Sequence, residues 1–340
     1  MKPFVSVVVP GLDCAGTLGP CLAALETQRW PGARYELVYA DSGSADGSRE
    51  LAAPRADRVV TVAGTPGAGA ARNAGVAAAS GEILVFVDAD VVAPPDTVRA
   101  LAAVLAADAG VAAVFGSYDA DPADPGVVSR YRNLLHHYVH QRSPSEAETF
   151  WAGCGAVRRD AFERMGGFDP GCAIEDVELG RRMRAAGYRI RLERGIQVKH
   201  LKRWTLASML HTDVFRRGVP WMLLLLESGR RSREAGHLNL TRGGLASTLL
   251  AWMASGLLLV APWLPTLPLA VIAIGGVVAI NHRFHRFLYR IGGARLALAS
   301  VPLHLLHHLC NGASAAIAVA SALADGPAGA ASPSAARIAP

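Results

Sequence analysis

The first two hundred residues alternate between short apolar runs and stretches with apolar residues at helical spacing. A continuous apolar run of roughly four to eight residues is typical of a strand buried on both faces. The predicted strands are at 4–9, 35–40, 59–62, 83–87 and 111–116. The predicted helices between them are at 17–28, with Thr17 as the N-cap, 64–80 and 95–107. This alternation predicts an α/β fold around a mostly parallel, Rossmann-like sheet.

The pattern changes near residue 240, where uncharged apolar stretches replace the alternation. The stretch 245–264 has the length of about 20 residues that a bilayer-spanning helix needs. A shorter apolar stretch follows at 265–280, and a third at 302–324. We therefore expect an all-α membrane region of about three helices. The alternative is a set of buried core helices.

Composition and charge agree with this division. Hydrophobic residues make up 51% of the 340 residues, and the net charge is +6. Basic residues are concentrated at 199–242 and again at 282–290, in a predicted loop between apolar stretches. By the positive-inside rule both segments are cytoplasmic, and they indicate contact with anionic lipids rather than nucleic acid. The five cysteines form no C-x-x-C pair, which argues against a zinc site or a disulfide framework.

Two carboxylates directly follow the apolar strand at 83–87. Asp88 and Asp90 would lie at its carboxyl end, where open α/β sheets bind ligands. Carboxylate oxygens suit a hard cation such as Mg²⁺ or Mn²⁺, which keeps positions open for phosphate. Asp41 follows strand 35–40 in the same way. The alternative for Asp88 and Asp90 is a solvated turn.

Three further polar sites have a functional and a structural interpretation. Arg72 either reaches a nucleotide or lies on a solvated helix face. Glu175 and Asp176 open a predicted helix, where carboxylates complement the helix dipole; alternatively, Asp176 is a general base. His200 ends a short extended segment and is either a metal ligand or structural. The histidines of the predicted helix 127–142 suit a substrate crevice better than a metal cluster.

The order of these motifs resembles that of the family 2 glycosyltransferases, which are nucleotide-sugar-dependent inverting enzymes with the GT-A fold. One D-x-D motif is weakly specific, but the ordered set across about residues 4–200 is highly specific. The matching segments are VSVVVP at 5–10, DSGSADGS at 41–48, GAARNAG at 69–75, Asp88-Ala89-Asp90, GGFD at 166–169 and Glu175-Asp176.

The resemblance and the apolar and charge patterns together give the domain organisation. A GT-A catalytic domain would occupy residues 1–200, and a basic amphipathic interfacial segment would occupy 201–242. A transmembrane region would follow at 243–325, with a disordered tail at 326–340. Because no signal peptide precedes the first strand, we expect the catalytic domain to face the cytoplasm from a multi-pass cytoplasmic membrane protein.

The resemblance also assigns roles to individual residues. Asp41 would contact the nucleobase, Arg72 would hold the nucleotide, and Asp88 would contact the ribose or sugar. The donor-binding residues would then be Pro10, Asp13, Asp41, Arg72 and Asp88. The metal ligands for Mn²⁺ or Mg²⁺ would be Asp90 and His200. The catalytic residues would be Asp176, as the base, and Glu175.

Two departures from the family pattern matter. The first loop is Pro10-Gly11-Leu12-Asp13, where the family often has an aromatic residue and Asn. Processive polysaccharide synthases carry Q-x-x-R-W after the base, whereas this chain has Arg203-Trp204 without the Gln. We therefore expect single transfer rather than polymerisation.

The expected function is transfer of a sugar from a UDP- or GDP-sugar to a lipid-linked acceptor, a polyprenyl phosphate or a glycolipid. The alternatives are a polysaccharide or cell-envelope glycan synthase of the same family, and a non-catalytic membrane protein that binds nucleotide sugars. A nucleotide-dependent oxidoreductase would need G-x-G-x-x-G after the first strand, and the loop that follows Val9 lacks this motif.

Overall fold

A computed structural model describes residues 4–29, 35–64, 67–231 and 241–324. The chain divides into two compact units. The first, which we call the sheet unit, comprises Met1–Asp124 and His136–Lys202. The second, the helical unit, comprises Pro125–Leu135 and Arg203–Pro340.

The sheet unit is built on a mixed sheet. Its strands are β1 Val5–Gly11, β2 Glu36–Asp41, β3 Arg58–Thr61, β4 Ile83–Val87, β5 Val91–Val92, β6 Val111–Tyr118, β7 Glu146–Ala147, β8 Cys154–Arg158 and β9 Arg189–His200. Their order is β3-β2-β1-β4-β8-β6-β9-β5, with β7 beside β9. The pairs β1–β2, β2–β3, β1–β4 and β6–β9 are parallel, while β8 runs antiparallel to β4 and β6.

Helices cover both faces of this sheet. They are α1 Ala15–Glu26, α2 Ser48–Ala52, α3 Ala68–Ala78, α4 Thr97–Ala107, α6 Arg159–Arg164, α7 Glu175–Ala185 and the second part of α5 Val127–Arg142, whose first part belongs to the helical unit. All residues of β1, β2 and β4 are buried, as continuous apolar runs predict, and two core clusters flank the sheet. The expected α/β fold is confirmed.

Four local expectations are wrong. Strand β1 continues through Pro10, which pairs with Ala40 of β2. Pairing with β4 has already ended at Val8, so the strand needs no N–H from Pro10 on that side. Helix α1 begins at Ala15 with Cys14 as its N-cap, so Thr17 is not the cap. The extended segment that ends at His200 is not short: it is the end of one long strand, β9, which pairs with β6 through register shifts.

The fourth concerns the helical unit. Its elements are α8 Leu206–His211, a π-helix Thr212–Gly218, α9 Val219–Arg231, α10 Arg242–Val260, α11 Leu267–Ile280 and α12 His282–Ala324. The basic segment 282–290, expected as a loop, is the first part of α12. Non-helical backbone at Gly292 and Gly293 then interrupts this helix.

The predicted membrane stretches lie mainly on helices of this unit, although residues 261–266 lie between α10 and α11. Within the described ranges, α10 alone is long and apolar enough to cross a membrane by itself. Helices α11 and α12 meet at 74°, and they form a second candidate only if this bent pair counts as one span. The three-span arrangement therefore stays a prediction.

The packing of α7 against the sheet unit generates a stability prediction. A Cβ added at Gly180 would clash with the backbone nitrogen of Phe150, whereas one added at Gly16, in α1, meets nothing within 4 Å. We expect Gly180→Ala to lower the free energy of unfolding by about 1–3 kcal/mol through overpacking. Gly16→Ala should be neutral or stabilising, because alanine favours helix. Thermal unfolding of both variants checks this, and equal melting temperatures would contradict the packing described.

Candidate functional site

The parallel strands β1, β2 and β4 end at the same edge of the sheet. Asp41 is the last residue of β2 and is fully buried. Its Oδ2 accepts hydrogen bonds from the backbone amides of Gly43 (3.0 Å) and Ser44 (3.1 Å), and the Tyr39 hydroxyl donates to Oδ1 (3.3 Å). These bonds fix the Asp41 carboxylate and shape the loop that follows β2.

The loop after β1 is tied to the same place. Pro10 is buried within β1. Asp13 has a left-handed backbone (φ 46°), its amide donates to Ser44 Oγ at 2.9 Å, and its Oδ1 accepts from the amide of Ala45 at 2.9 Å. The structure thus brings Pro10, Asp13 and Asp41 together at one edge.

A buried arginine joins the end of β4 to the start of α7. Arg72, on α3, donates through one terminal nitrogen to Asp88 Oδ1 at 2.7 Å. The other terminal nitrogen donates to Glu175. Its side chain is only 5% exposed. The alternative of a solvated helix face is therefore wrong for Arg72, which instead joins α3 to residues 16 and 103 positions further along the chain.

This guanidinium faces more negative charge than it can neutralise. Burial raises the pKa of Glu175 to about 7, with Arg72 opposing the shift and Asp176 and Asp88 adding to it. Burial also raises the pKa of Asp88, although Arg72 counteracts it. One positive charge therefore serves three neighbouring carboxylates.

Asp176 differs from its neighbour Glu175 in environment. Its Oδ2 accepts a hydrogen bond from the Ala152 amide at 3.1 Å, and its Oδ1 accepts one from the Val177 amide at 2.8 Å. The residue is half-buried, whereas Glu175 is buried. Backbone amides therefore orient this carboxylate while leaving part of it accessible.

Asp90 and His200 form a second polar pair. His200 Nε2 lies 3.3 Å from Asp90 Oδ2, and its ring stacks on Tyr118 with centroids 4.2 Å apart. Burial would raise the pKa of Asp90, but the hydrogen bond from His200 and the charges of His200 and Lys202 outweigh it and lower the pKa. The ionised Asp90 carboxylate suits Mn²⁺ or Mg²⁺, whereas the imidazole of His200 is a donor that softer metals prefer.

These two donors do not complete a metal site by themselves. Among the described residues, no group of three or more His, Cys, Asp or Glu side chains is arranged to hold a metal ion. Mg²⁺ is commonly bound by one or two carboxylates together with substrate phosphates. Asp90 and His200 fit a cation that a nucleotide diphosphate would share.

Sequence reasoning missed two groups of residues. Asn73 donates to the Phe168 carbonyl (2.8 Å) and accepts from the Phe168 amide (3.0 Å), which joins α3 to the GGFD turn. Trp151 packs edge-on against Tyr118 and His136, directly before the residue that binds Asp176. Asn73 lies in a matching motif, so the resemblance contained its signal. Nothing local in the sequence marks Trp151.

Residues 6–166 match the family model described as glycosyl transferase family 2. They form a family 2 glycosyltransferase domain. The resemblance to this family that the sequence motifs indicate is thereby confirmed for residues 6–166.

Curated relatives are similar over part of their length. The chain is 28% identical over 268 residues to validoxylamine A glucosyltransferase of Streptomyces hygroscopicus subsp. jinggangensis. The aligned region covers 65% of this chain and 62% of that protein. It is 29% identical over 193 residues to glycosyltransferase AglE of Haloferax volcanii, covering 55% and 63%. The chain thus spans less than two thirds of these relatives.

Solved structures share the fold. The mannosyltransferase PcManGT of Pyrobaculum calidifontis, in complex with GDP-Man and Mn²⁺, has a TM-score of 0.60 at 23% identity, covering 94% of this chain and 88% of that one. Glucosyl-3-phosphoglycerate synthase of Mycobacterium tuberculosis, with Mg²⁺ and UDP, has a TM-score of 0.50 at 24% identity, covering 68% and 81%. At these identities the likeness establishes the GT-A fold alone.

The raised pKa of Glu175 generates a prediction about stability and pH. The folded carboxyl keeps its proton up to about pH 7, whereas the ordinary value is 4.5. Between these values the folded state binds more protons, so this group lowers stability as pH rises. We expect Glu175→Gln to remove part of the decline in melting temperature from pH 4.5 to 7.

The control is Glu178→Gln, on the same helix and paired with Arg182 at 2.6 Å. Its melting temperature should change with pH as that of the native chain does. Parallel profiles for Glu175→Gln and the native chain would contradict the charge imbalance around Arg72.

Proposed function

We propose that the protein is a membrane-bound inverting glycosyltransferase that moves a sugar from a nucleotide-sugar donor to a lipid-linked acceptor. The observation that carries this proposal is the placement of a partly accessible carboxylate, Asp176, beside the Arg72-held carboxylates at the ends of β4 and α7. This arrangement supports displacement at the anomeric carbon with inversion, which needs one base and no covalent enzyme intermediate.

The donor site is proposed to lie along the carboxyl ends of β1, β2 and β4. Asp41, with Pro10 and Asp13 in the adjacent loop, would receive the nucleobase. Asp88 would contact the ribose or the sugar. A UDP- or GDP-sugar is the expected donor, in agreement with the GDP-Man and UDP complexes of proteins that share the fold.

Asp90 and His200 would hold a divalent cation, Mn²⁺ or Mg²⁺. Such a cation, when bound, stabilises the charge of a departing nucleoside diphosphate. His200 stays in place because it stacks on Tyr118, and Asp90 stays ionised because its pKa is lowered. To ligate a cation through Nε2, His200 would give up the hydrogen that this nitrogen shares with Asp90.

Asp176 would accept the proton of the acceptor group during attack. The Ala152 and Val177 amides orient its carboxylate, and its partial exposure lets an acceptor approach. Glu175, which the sequence assigned to catalysis, is buried against Arg72. We therefore give Glu175 and Arg72 a positioning role, in which Arg72 acts on the donor through Asp88.

The surface of the helical unit supports the membrane part of the proposal. Large apolar side chains on and next to α10 and α11 are highly exposed, among them Leu249 (72%), Leu259 (72%), Trp263 (78%) and Ile272 (69%). Exposed apolar area on this scale is typical of surfaces that contact lipid or another protein. With basic residues nearby, we propose a multi-pass protein of the cytoplasmic membrane whose sheet unit faces the cytoplasm.

The proposal predicts transfer that depends on Asp176. Membranes carrying the protein would be given a panel of labelled UDP- and GDP-sugars with Mn²⁺ or Mg²⁺, and label in the lipid extract would be measured. We expect Asp176→Asn to lower transfer about 10²–10⁴-fold, the range that general base catalysis contributes. Chelation of the cation should abolish transfer by the native chain.

Asp96→Asn is the matched control, because Asp96 is an exposed aspartate that pairs with Arg99 at a helix start. It should transfer as the native chain does. Metal-dependent nucleotide binding without transfer from any donor would contradict the enzyme and favour a nucleotide-sugar-binding protein. Label in long polymers would favour the glycan synthase instead.

A further inference from the structure

The helical unit contains a buried network of charged and polar side chains. Arg132, on the first part of α5, pairs with Asp213 of the π-helix at 2.7 Å, and the two side chains are 11% and 4% exposed. The other Asp213 oxygen lies 3.4 Å from Nδ1 of His307 on α12. The His304 and His308 rings lie 5.9 and 5.5 Å from the His307 ring, between centroids. The family motifs and the proposed chemistry use none of these residues.

The network lies near one end of an otherwise apolar helix bundle. Helices α10 and α12 run side by side, since Thr248 Oγ1 is 3.3 Å from His308 Nδ1 and Gly312 packs against Trp252. Thr248 is about 9 Å along the axis from Arg242, where α10 begins. The end of α11 meets the same region, because Asn281 donates to Ser247 at 2.9 Å. The buried polar groups thus lie close to the basic end of the bundle.

In each of three imidazoles in this region, one ring nitrogen has a hydrogen-bond partner and the other has none among the described residues. Nδ1 of His304 is 2.9 Å from the Tyr131 hydroxyl, and Nδ1 of His285 is 3.5 Å from Ser300 Oγ. His308 binds Thr248 in the same way. Within the described residues, the Nε2 atoms of all three have no hydrogen-bond partner, although the residues are 9% exposed or less. Buried polar atoms normally have one.

The known partners indicate which nitrogens carry the proton. In the tautomer in which the Tyr131 hydroxyl donates to His304 Nδ1, that nitrogen is unprotonated and Nε2 carries the hydrogen. The same tautomer of His308 accepts at Nδ1 from the Thr248 hydroxyl and carries its hydrogen on Nε2. The two rings are 4.8 Å apart between centroids. With both rings in this tautomer, two adjacent, buried N–H groups face no acceptor of the described residues.

We propose that His304, His308 and Arg132 form a phosphate-binding site in the helical unit. A phosphate group offers several strong acceptor oxygens to the two Nε2–H donors, and the Arg132 guanidinium, paired with Asp213, lies in the same buried network. Nε2 atoms that carry hydrogen are not metal ligands, and no metal-binding group is found among the described residues. Basic pockets between membrane helices at the cytoplasmic side bind lipid phosphates.

The phosphate has two possible sources, a lipid headgroup and free phosphate, and the chemistry of the site is the same for both. Assigning it to the phosphate of the acceptor lipid rests on the function proposed above. The phosphate site itself does not, because it uses none of the residues assigned to donor binding or catalysis.

The test measures binding to the full-length chain in detergent micelles by calorimetry. The probes are a ten-carbon prenyl monophosphate, the matching prenyl alcohol, phosphatidic acid and inorganic phosphate. We expect the prenyl monophosphate to bind at least about tenfold more tightly than the alcohol, since hydrogen bonds to a charged group are worth that factor or more. His308→Leu and His304→Phe should each weaken binding about tenfold.

The control is His282→Leu, which changes an exposed histidine of the same helix and should leave the affinity unchanged. Preference for both lipid phosphates over inorganic phosphate supports a headgroup site, and equal binding of inorganic phosphate supports a free-phosphate site. Equal affinity for prenyl monophosphate and prenyl alcohol would overturn the proposal. This comparison uses the native chain alone, so it does not depend on whether a variant folds. The calorimetric assay measures binding and not turnover. A chain that transfers no sugar would therefore still give a valid result for the phosphate site.

Discussion

The buried contact of Arg72 with Asp88 and Glu175 is the interaction on which the candidate site depends. It fixes the end of β4, the start of α7 and the helix α3 relative to one another. A planar guanidinium can engage two carboxylates at once, whereas a lysine ammonium is a point charge on a flexible stem. Removing one partner would leave a buried charge unpaired, which is strongly destabilising. The geometry of the strand ends therefore follows from this one side chain.

The surplus of carboxylates around Arg72 separates their roles. Glu175 is buried and has a raised pKa, so it is the carboxyl that takes up a proton where negative charge around Arg72 is in excess. Asp176 is held by backbone amides and stays partly accessible, as a base must. Asp90 has a lowered pKa through His200, which suits a metal ligand. Three environments within one site thus support three functions for chemically similar side chains.

Much of the sheet unit follows from sequence because its signals are local. The apolar runs before Asp41 and Asp88 predict buried strands, and strand ends predict where ligands bind. The pairing of Arg72 with Glu175 spans 103 positions, so local pattern could not distinguish it from a solvated arginine. Likewise, His304 and His308 look like ordinary residues of an apolar helix until Tyr131 and Thr248 are placed beside them.

The most direct test of the positioning role of Arg72 compares two quantities in Arg72→Lys, which keeps the charge but not the bridge. The first is the affinity for nucleotide in the presence of Mn²⁺, and the second is kcat for sugar transfer. If Arg72 positions Asp88 and Glu175, kcat should fall by about 10²-fold, the cost of a small misplacement, while nucleotide affinity is unchanged. A loss of nucleotide affinity equal to the loss of kcat would contradict this account and would place Arg72 in direct contact with the donor.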